Sequence, residues 1–196
     1  MKTLKNSIVI ILSILIVSSS FGQSINKSQH EQKGIENNIK DSTNQVGTIA
    51  KEFKGQDLLT GKIISLSDFK GKFVYLDFWG SWCKPCLEEV KYVRDAYQNL
   101  NKDSIVFIGI ATDFDKSKFI KVLEEKQINW YQILYLELNK EMKITSEIIY
   151  QGINKDYNVT GWPTTFLIGP DGKIIAKNIR GKNLINELKF KLKQNN

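Results

Sequence analysis

Cys83 and Cys86 are the only cysteines among 196 residues, and they stand three apart in Trp82-Cys83-Lys84-Pro85-Cys86. Three residues is about one helical turn, so their sulfurs can meet in a disulfide or stand open as two thiols. The run before them, Phe73-Val74-Tyr75-Leu76-Asp77-Phe78-Trp79, is apolar, β-branched and aromatic, which reads as a buried strand. Gly80-Ser81 turns the chain. Leu87, Val90, Val93, Tyr97 and Leu100 then recur at spacings of three and four, the single apolar face of a packed helix. Cys83 therefore stands where a strand ends and a helix begins, with Pro85 in the first turn, where its missing N–H costs nothing. Free N–H groups and the positive helix end stabilise an anion there, and Lys84 adds a cation. Cys83 is thus expected to ionise readily and to be the exposed, attacking sulfur, with Cys86 waiting behind it. Such a pair is a dithiol redox switch.

Two plainer readings compete. A structural staple usually joins distant segments, and a four-residue ring removes little chain entropy, worth roughly 2 kcal/mol. Half a zinc site would need further ligands, and the only histidine, His30, lies far off in a polar stretch. No metal and no cofactor is expected.

Exchange between the two sulfurs needs a proton acceptor for the second. Asp77 is six residues before Cys83 in an apolar strand, where an unpaired carboxylate is costly, so its pKa is expected to be raised and to suit a proton shuttle at Cys86. The competing reading turns Asp77 outward to solvent. Glu89, three residues after Cys86, falls near the same helix face; adjacent Glu88 reads as plain surface.

These residues must be held by a fold. Composition is globular, 41% hydrophobic and 25% charged, enough for one domain with extra segments. The net charge of +7 comes from scattered lysines, so no nucleic-acid surface is expected. Met1–Ser7 carries Lys2 and Lys5 and no acid, and an apolar run from Ile8 to Val17 and small residues to Gly22 follow. That is the pattern of a secretory signal peptide cut before Gln23, the apolar run being shorter than the roughly 20 residues of a spanning helix. An uncleaved membrane tether is the alternative. A periplasmic or otherwise extracytoplasmic location follows from this reading. Residues 23–49 are polar and read as a flexible linker, and 50–196 as the folded domain, with order expected to begin near Phe53.

Asp57–Leu66 carries two short apolar runs around Thr60-Gly61 and reads as a β-hairpin. Ser104–Ala111 reads as a second buried parallel strand, Lys116–Gln127 as a helix, Trp130–Tyr135 as a short strand and Asn183–Lys193 as a closing amphipathic helix. Asp113 and Asp115 are expected to cap the helix that follows them. Leu136–Lys155 is expected to hold a helical insertion broken at Gly152.

Phe78-Trp79-Gly80-Ser81-Trp82-Cys83-Lys84-Pro85-Cys86 resembles the active-site segment of thioredoxin-fold proteins, specifically the exported TlpA/ResA-like thiol–disulfide oxidoreductases. The hairpin followed by Ser65-Leu66-Ser67-Asp68-Phe69-Lys70-Gly71-Lys72 is similar to the lead-in of that group. So is Val159-Thr160-Gly161-Trp162-Pro163-Thr164-Thr165-Phe166-Leu167-Ile168 with the following Pro170-Asp171-Gly172-Lys173-Ile174. The resemblance implies an α/β thioredoxin-like fold: a central mixed β-sheet flanked by helices, an N-terminal β-hairpin, and an insertion before the strand that carries a cis-proline, Pro163. It implies Cys83 as nucleophile, Cys86 as resolving thiol, Asp77 and Glu89 as active-site carboxylates, and Trp82, Lys84, Pro85, Trp162 and Pro163 on the substrate side. Trp162 departs from the family pattern, where smaller residues are usual.

As partners the resemblance implies protein disulfides, in some members those of apocytochromes in cytochrome c maturation, and a membrane thiol donor of the DsbD/CcdA type. A monomer is expected. The rival functions are a disulfide oxidase or thiol peroxidase of the same fold, or a redox-inert binding module with a structural disulfide.

Overall fold

The computed structural model describes residues 44–136 and 153–194. The expected signal peptide, the linker as far as residue 43 with His30, and most of the expected insertion, residues 137–152, lie outside the described residues.

Among the described residues the main elements are β1 (Lys54–Gln56), β2 (Ile63–Ser65), a 3-10 turn (Leu66–Phe69), β3 (Phe73–Trp79), α1 (Lys84–Asn99), β4 (Ile105–Asp113), α2 (Lys116–Glu125), β5 (Tyr131–Leu136), a helical turn at 153–156, β6 (Thr164–Ile168), β7 (Ile174–Lys177) and α3 (Leu184–Gln194). A five-stranded sheet runs in the order β5-β4-β3-β6-β7, with β1 and β2 forming a separate hairpin. β3 pairs parallel with β4, and β4 parallel with β5, while β6 is antiparallel to β3 and to β7. The sheet is mixed, as expected.

β3 lies at its centre because both of its faces are apolar. Phe73, Tyr75 and Trp79 join one buried cluster with Cys86, Val90 and Val93 of α1, Phe119 and Leu123 of α2, and Leu184 and Leu188 of α3. Val74, Leu76 and Phe78 join the other, with Phe53, Ile64 and Tyr157. Strand alternation thus sends odd-numbered side chains to the helices and even-numbered ones to the hairpin side. Asp77 is odd.

Element ends differ from the sequence reading for local reasons. Helix α2 stops before Gln127 because Gln127 takes a left-handed backbone (φ 55°), which ends a helix. The hairpin exists, but its first strand lies upstream of Leu58-Leu59. Asp57 Oδ2 accepts the amide of Thr60 at 2.9 Å and its hydroxyl at 2.6 Å, which commits Asp57–Thr60 to the turn.

The domain also starts earlier than Phe53. Gly47 N donates to the Ile174 carbonyl, Ile174 N to the Thr48 carbonyl, and Ile49 bridges Lys173 at the start of β7. Ala50 and Phe53 are buried on the hairpin side of the sheet. On the opposite flank Asp57 bridges Ile133 of β5, and its Oδ1 accepts Gln132 N at 2.8 Å.

Candidate active site

β3 ends at Trp79, and the chain must turn sharply to start α1 at Lys84. Strand β4, alongside, holds that turn at its C-terminal end. The Ser81 amide donates to Asp113 Oδ2 at 2.8 Å, and Trp82 Nε1 donates to the Thr112 carbonyl at 2.9 Å. Gly80 has no side chain for a reason: a Cβ there would lie 2.6 Å from the Thr112 oxygen and 2.7 Å from Trp82 Nε1. Gly80→Ala is accordingly expected to cost about 1–3 kcal/mol and to loosen Trp82. Urea unfolding and Trp fluorescence check this; unchanged values of both would mean that the turn yields without strain.

Cys83 is the N-cap of α1, with Pro85 in the first turn. Its Sγ is bonded to Cys86 and accepts the Cys86 amide N–H at 3.3 Å. A sulfur that accepts an N–H at a helix N-terminus is in the place where negative charge is favoured. One expectation fails. Cys83 was to be the exposed sulfur, yet it is only 4% exposed, against 2% for Cys86. With Cys86 it lies in the helix-side cluster, against which Trp162 packs. Lys84 and Pro85 take the solvent positions instead.

The proline loop faces this turn. The Trp162–Pro163 bond is cis. Thr164, the next residue, pairs with Phe78, which puts Pro163 beside the end of β3. Trp162 meets Trp82 edge to face at 5.4 Å, and Trp82 in turn meets Phe114 at 5.9 Å. Trp82 and Phe114 are 45% and 62% exposed. An aromatic row therefore flanks the disulfide. Trp162 is half-buried, and its Nε1 is buried with no hydrogen-bond partner.

Asp77 points to the helix side, between Tyr75 and Trp79 on the face that buries Cys86, so the outward reading does not hold. Its Oδ1 is buried without a hydrogen-bond partner. Burial pushes its pKa from 3.8 to about 7; the Glu89 charge adds to the rise and Arg180 opposes it.

Glu89 Oε2 accepts the Gly181 amide at 2.6 Å, so its carboxylate anchors the segment after β7. Arg180, one residue earlier, donates from Nη1 to the Pro163 carbonyl at 2.8 Å. Glu88 is exposed, as expected.

The structure thus brings Cys83, Cys86, Trp82, Trp162, Pro163, Asp77 and Glu89 to one end of the sheet. Sequence reasoning missed Asp113, Phe114 and Arg180. Asp115 does cap α2, accepting from Ser117 N and Lys118 N, but Asp113 serves the cysteine turn. One acid suffices for a cap, and a second at the C-terminal end of a parallel strand was a readable signal.

Among groups of histidine, cysteine and acidic residues, none of the described ones could hold a metal ion.

A family model described as the AhpC/TSA family matches residues 46–177. Thiol-disulfide oxidoreductase ResA of Bacillus thuringiensis subsp. konkukian (strain 97-27) is 34% identical over 158 residues, covering 79% of this chain and 81% of the relative. The thioredoxin domain of a thiol-disulfide oxidoreductase from Bacteroides vulgatus superposes with a TM-score of 0.65 at 31% identity, covering 76% of this chain and 98% of that domain. The solution structure of a thiol:disulfide interchange protein from Bacteroides sp. gives 0.64 at 30% identity, covering 76% and 91%.

Proposed function

The chain belongs to the AhpC/TSA family of thioredoxin-fold proteins and is a thiol–disulfide oxidoreductase, and from that premise we propose that it reduces protein disulfides through Cys83 and Cys86. The observation that carries this reading is Cys83 Sγ at the N-cap of α1, taking a helix N–H, on the side of the sheet where Asp77 Oδ1 is buried.

In the reduced protein the Cys83 thiolate attacks one sulfur of a substrate disulfide. The substrate S–S bond breaks, a Cys83–substrate disulfide forms, and the first substrate thiolate leaves and takes a proton from water. Cys86 then gives its proton to Asp77 and attacks Cys83 Sγ. The mixed disulfide breaks, the second substrate thiolate leaves and is protonated, and the Cys83–Cys86 disulfide remains. Two electrons and two protons have passed to the substrate. Trp82, Lys84, Pro85, Trp162 and Pro163 form the surface on which the substrate lies, and Glu89 supports the proline loop.

The basic, apolar N-terminus supports a leader over residues 1–22 and work outside the cytoplasm, where disulfides persist. Asn44 is already docked, so a linker would occupy 23–43. Recharging falls to a membrane thiol donor of the DsbD/CcdA type, and apocytochrome cysteines awaiting haem are the substrate we favour. The domain is taken to work as a monomer.

The test is the reduction potential of the Cys83–Cys86 couple in a thiol redox buffer. A value near −270 mV, about that of thioredoxin, supports a reductase; one near −120 mV makes the protein a disulfide donor instead. A value below about −300 mV without exchange activity makes the disulfide a staple.

A further inference from the structure

We propose that Arg180 is a positioning residue of the exchange site: its hydrogen bond to the Pro163 carbonyl holds the proline loop against the cysteine turn, and Glu89 holds Arg180 in place through the Gly181 amide. The inference rests on the exchange function proposed above.

The segment 178–181 is fixed at every residue. Asn178 N donates to the Thr165 carbonyl at 2.8 Å. The Ile179 carbonyl accepts the Tyr75 hydroxyl at 2.9 Å and the Thr165 hydroxyl at 3.0 Å. Arg180 reaches Pro163, and Gly181 reaches Glu89. Asn178 and Gly181 both take left-handed backbones (φ 56° and 80°), which bend the segment over between β7 and α3. A four-residue stretch thus ties β3, β6, the proline loop and α1 together.

These bonds close a circuit around the disulfide. It runs from Cys86 along α1 to Glu89, across to Gly181 and Arg180, on to Pro163 and Trp162, and by the 5.4 Å ring contact to Trp82 beside Cys83. Arg180 is exposed, yet its guanidinium is aimed at a main-chain carbonyl that lies beyond the last pair between β6 and β3, Thr164 with Phe78. A carbonyl there needs a partner from outside the sheet, and Arg180 supplies it. Its charge has a second effect. Asp77 is faced by Tyr75 on its own strand, Glu89 from α1 and Arg180 from this segment, and Arg180 is the cation among them that favours the carboxylate.

Arg180 therefore acts by geometry on the substrate side and by charge on Asp77, and two substitutions separate these. Arg180→Ala removes both; Arg180→Lys keeps the charge and loses the planar fork. The readouts are KM and kcat for a disulfide-bonded peptide and the Asp77 carboxyl titration followed by 13C NMR. Arg180→Ala is expected to raise KM about tenfold with kcat within about twofold, the loss of one charge-assisted hydrogen bond, and to move the Asp77 midpoint upward. Arg180→Lys is expected to raise KM comparably and leave the midpoint in place. An Arg180→Ala protein that exchanges with wild-type KM overturns the proposal for Arg180 and leaves the reductase reading standing, whatever its Asp77 midpoint. If the wild-type protein itself exchanges no peptide disulfide, the reductase reading falls, and the exchange role proposed for Arg180 falls with it.

Discussion

The Cys86→Ser protein, mixed with a disulfide-bonded substrate, is expected to accumulate a covalent adduct on Cys83 approaching roughly one equivalent per chain, whereas Cys83→Ser is expected to form none. The asymmetry follows from where α1 starts. Both sulfurs belong to the helix-side cluster, but Cys83 is the N-cap, flanked by exposed Trp82 and exposed Lys84, whereas Cys86 lies within the first turn of the helix. Those exposed neighbours make Cys83 the sulfur that a partner is expected to reach once the internal disulfide is open. Cys86 can be reached from Cys83 but lies behind the turn. Serine fills the space of either sulfur and cannot break a mixed disulfide, so the adduct persists. Intact-mass spectrometry with and without reductant reads it directly. Adducts of equal yield on the two variants would mean that either sulfur can attack, and the assigned roles would fall.

The second large effect belongs to Asp77. In the folded chain its carboxyl holds its proton up to about pH 7, whereas an unfolded chain releases it near 3.8. Between those values the folded state binds the extra proton, so this contribution to stability is full below about pH 4 and is lost as the pH rises through 7. The whole difference corresponds to about 4 kcal/mol. Asp77→Asn removes the charge that must be buried. Its stability should match the wild type near pH 4 and exceed it by up to that amount above pH 8, measured by urea unfolding of the disulfide form. Identical pH slopes for the two proteins would show that Asp77 is solvated in solution. Catalysis should move the other way: without a proton acceptor, Asp77→Asn slows release of the mixed disulfide by about 10²-fold at neutral pH, and the limb near pH 7 disappears from the rate profile.

How far the sequence revealed this site depends on distance along the chain. The Cys83–Cys86 pair, its place at a strand–helix junction and the burial of Asp77 all follow from local periodicity, because β3 and α1 are consecutive and each shows its own repeat. The cis-proline was legible only through resemblance, since nothing local in Gly161-Trp162-Pro163 distinguishes it from an ordinary proline at the head of a strand. The burial of Cys83 did not show in the sequence because the cluster that holds it is closed over by Trp162, 79 positions along the chain, a tertiary effect. Residues 178–181 were silent for a similar reason. Glu89 and Gly181 are 92 positions apart, and Arg180 and Pro163 are 17 apart, joined by single hydrogen bonds that leave no periodic trace. The hairpin slipped upstream because the Asp57 side chain, not the apolar pattern, decides where the turn falls.

The approach to the hairpin has a consequence for how the molecule behaves in a crowd. The outermost strand of a sheet offers a row of unsatisfied main-chain groups to any passing chain, which is how aggregation and strand exchange begin. Here one stretch, 47–58, occupies part of that row on β7 through Gly47, Thr48 and Ile49, crosses the sheet under Ala50 and Phe53, and occupies part of it on β5 through Asp57 and Leu58. It works as a selvedge, finishing both borders of the fabric with a single thread. A proteolytic nick or a truncation within it would unfinish both borders at once, leaving the cysteines untouched and the protein prone to self-association.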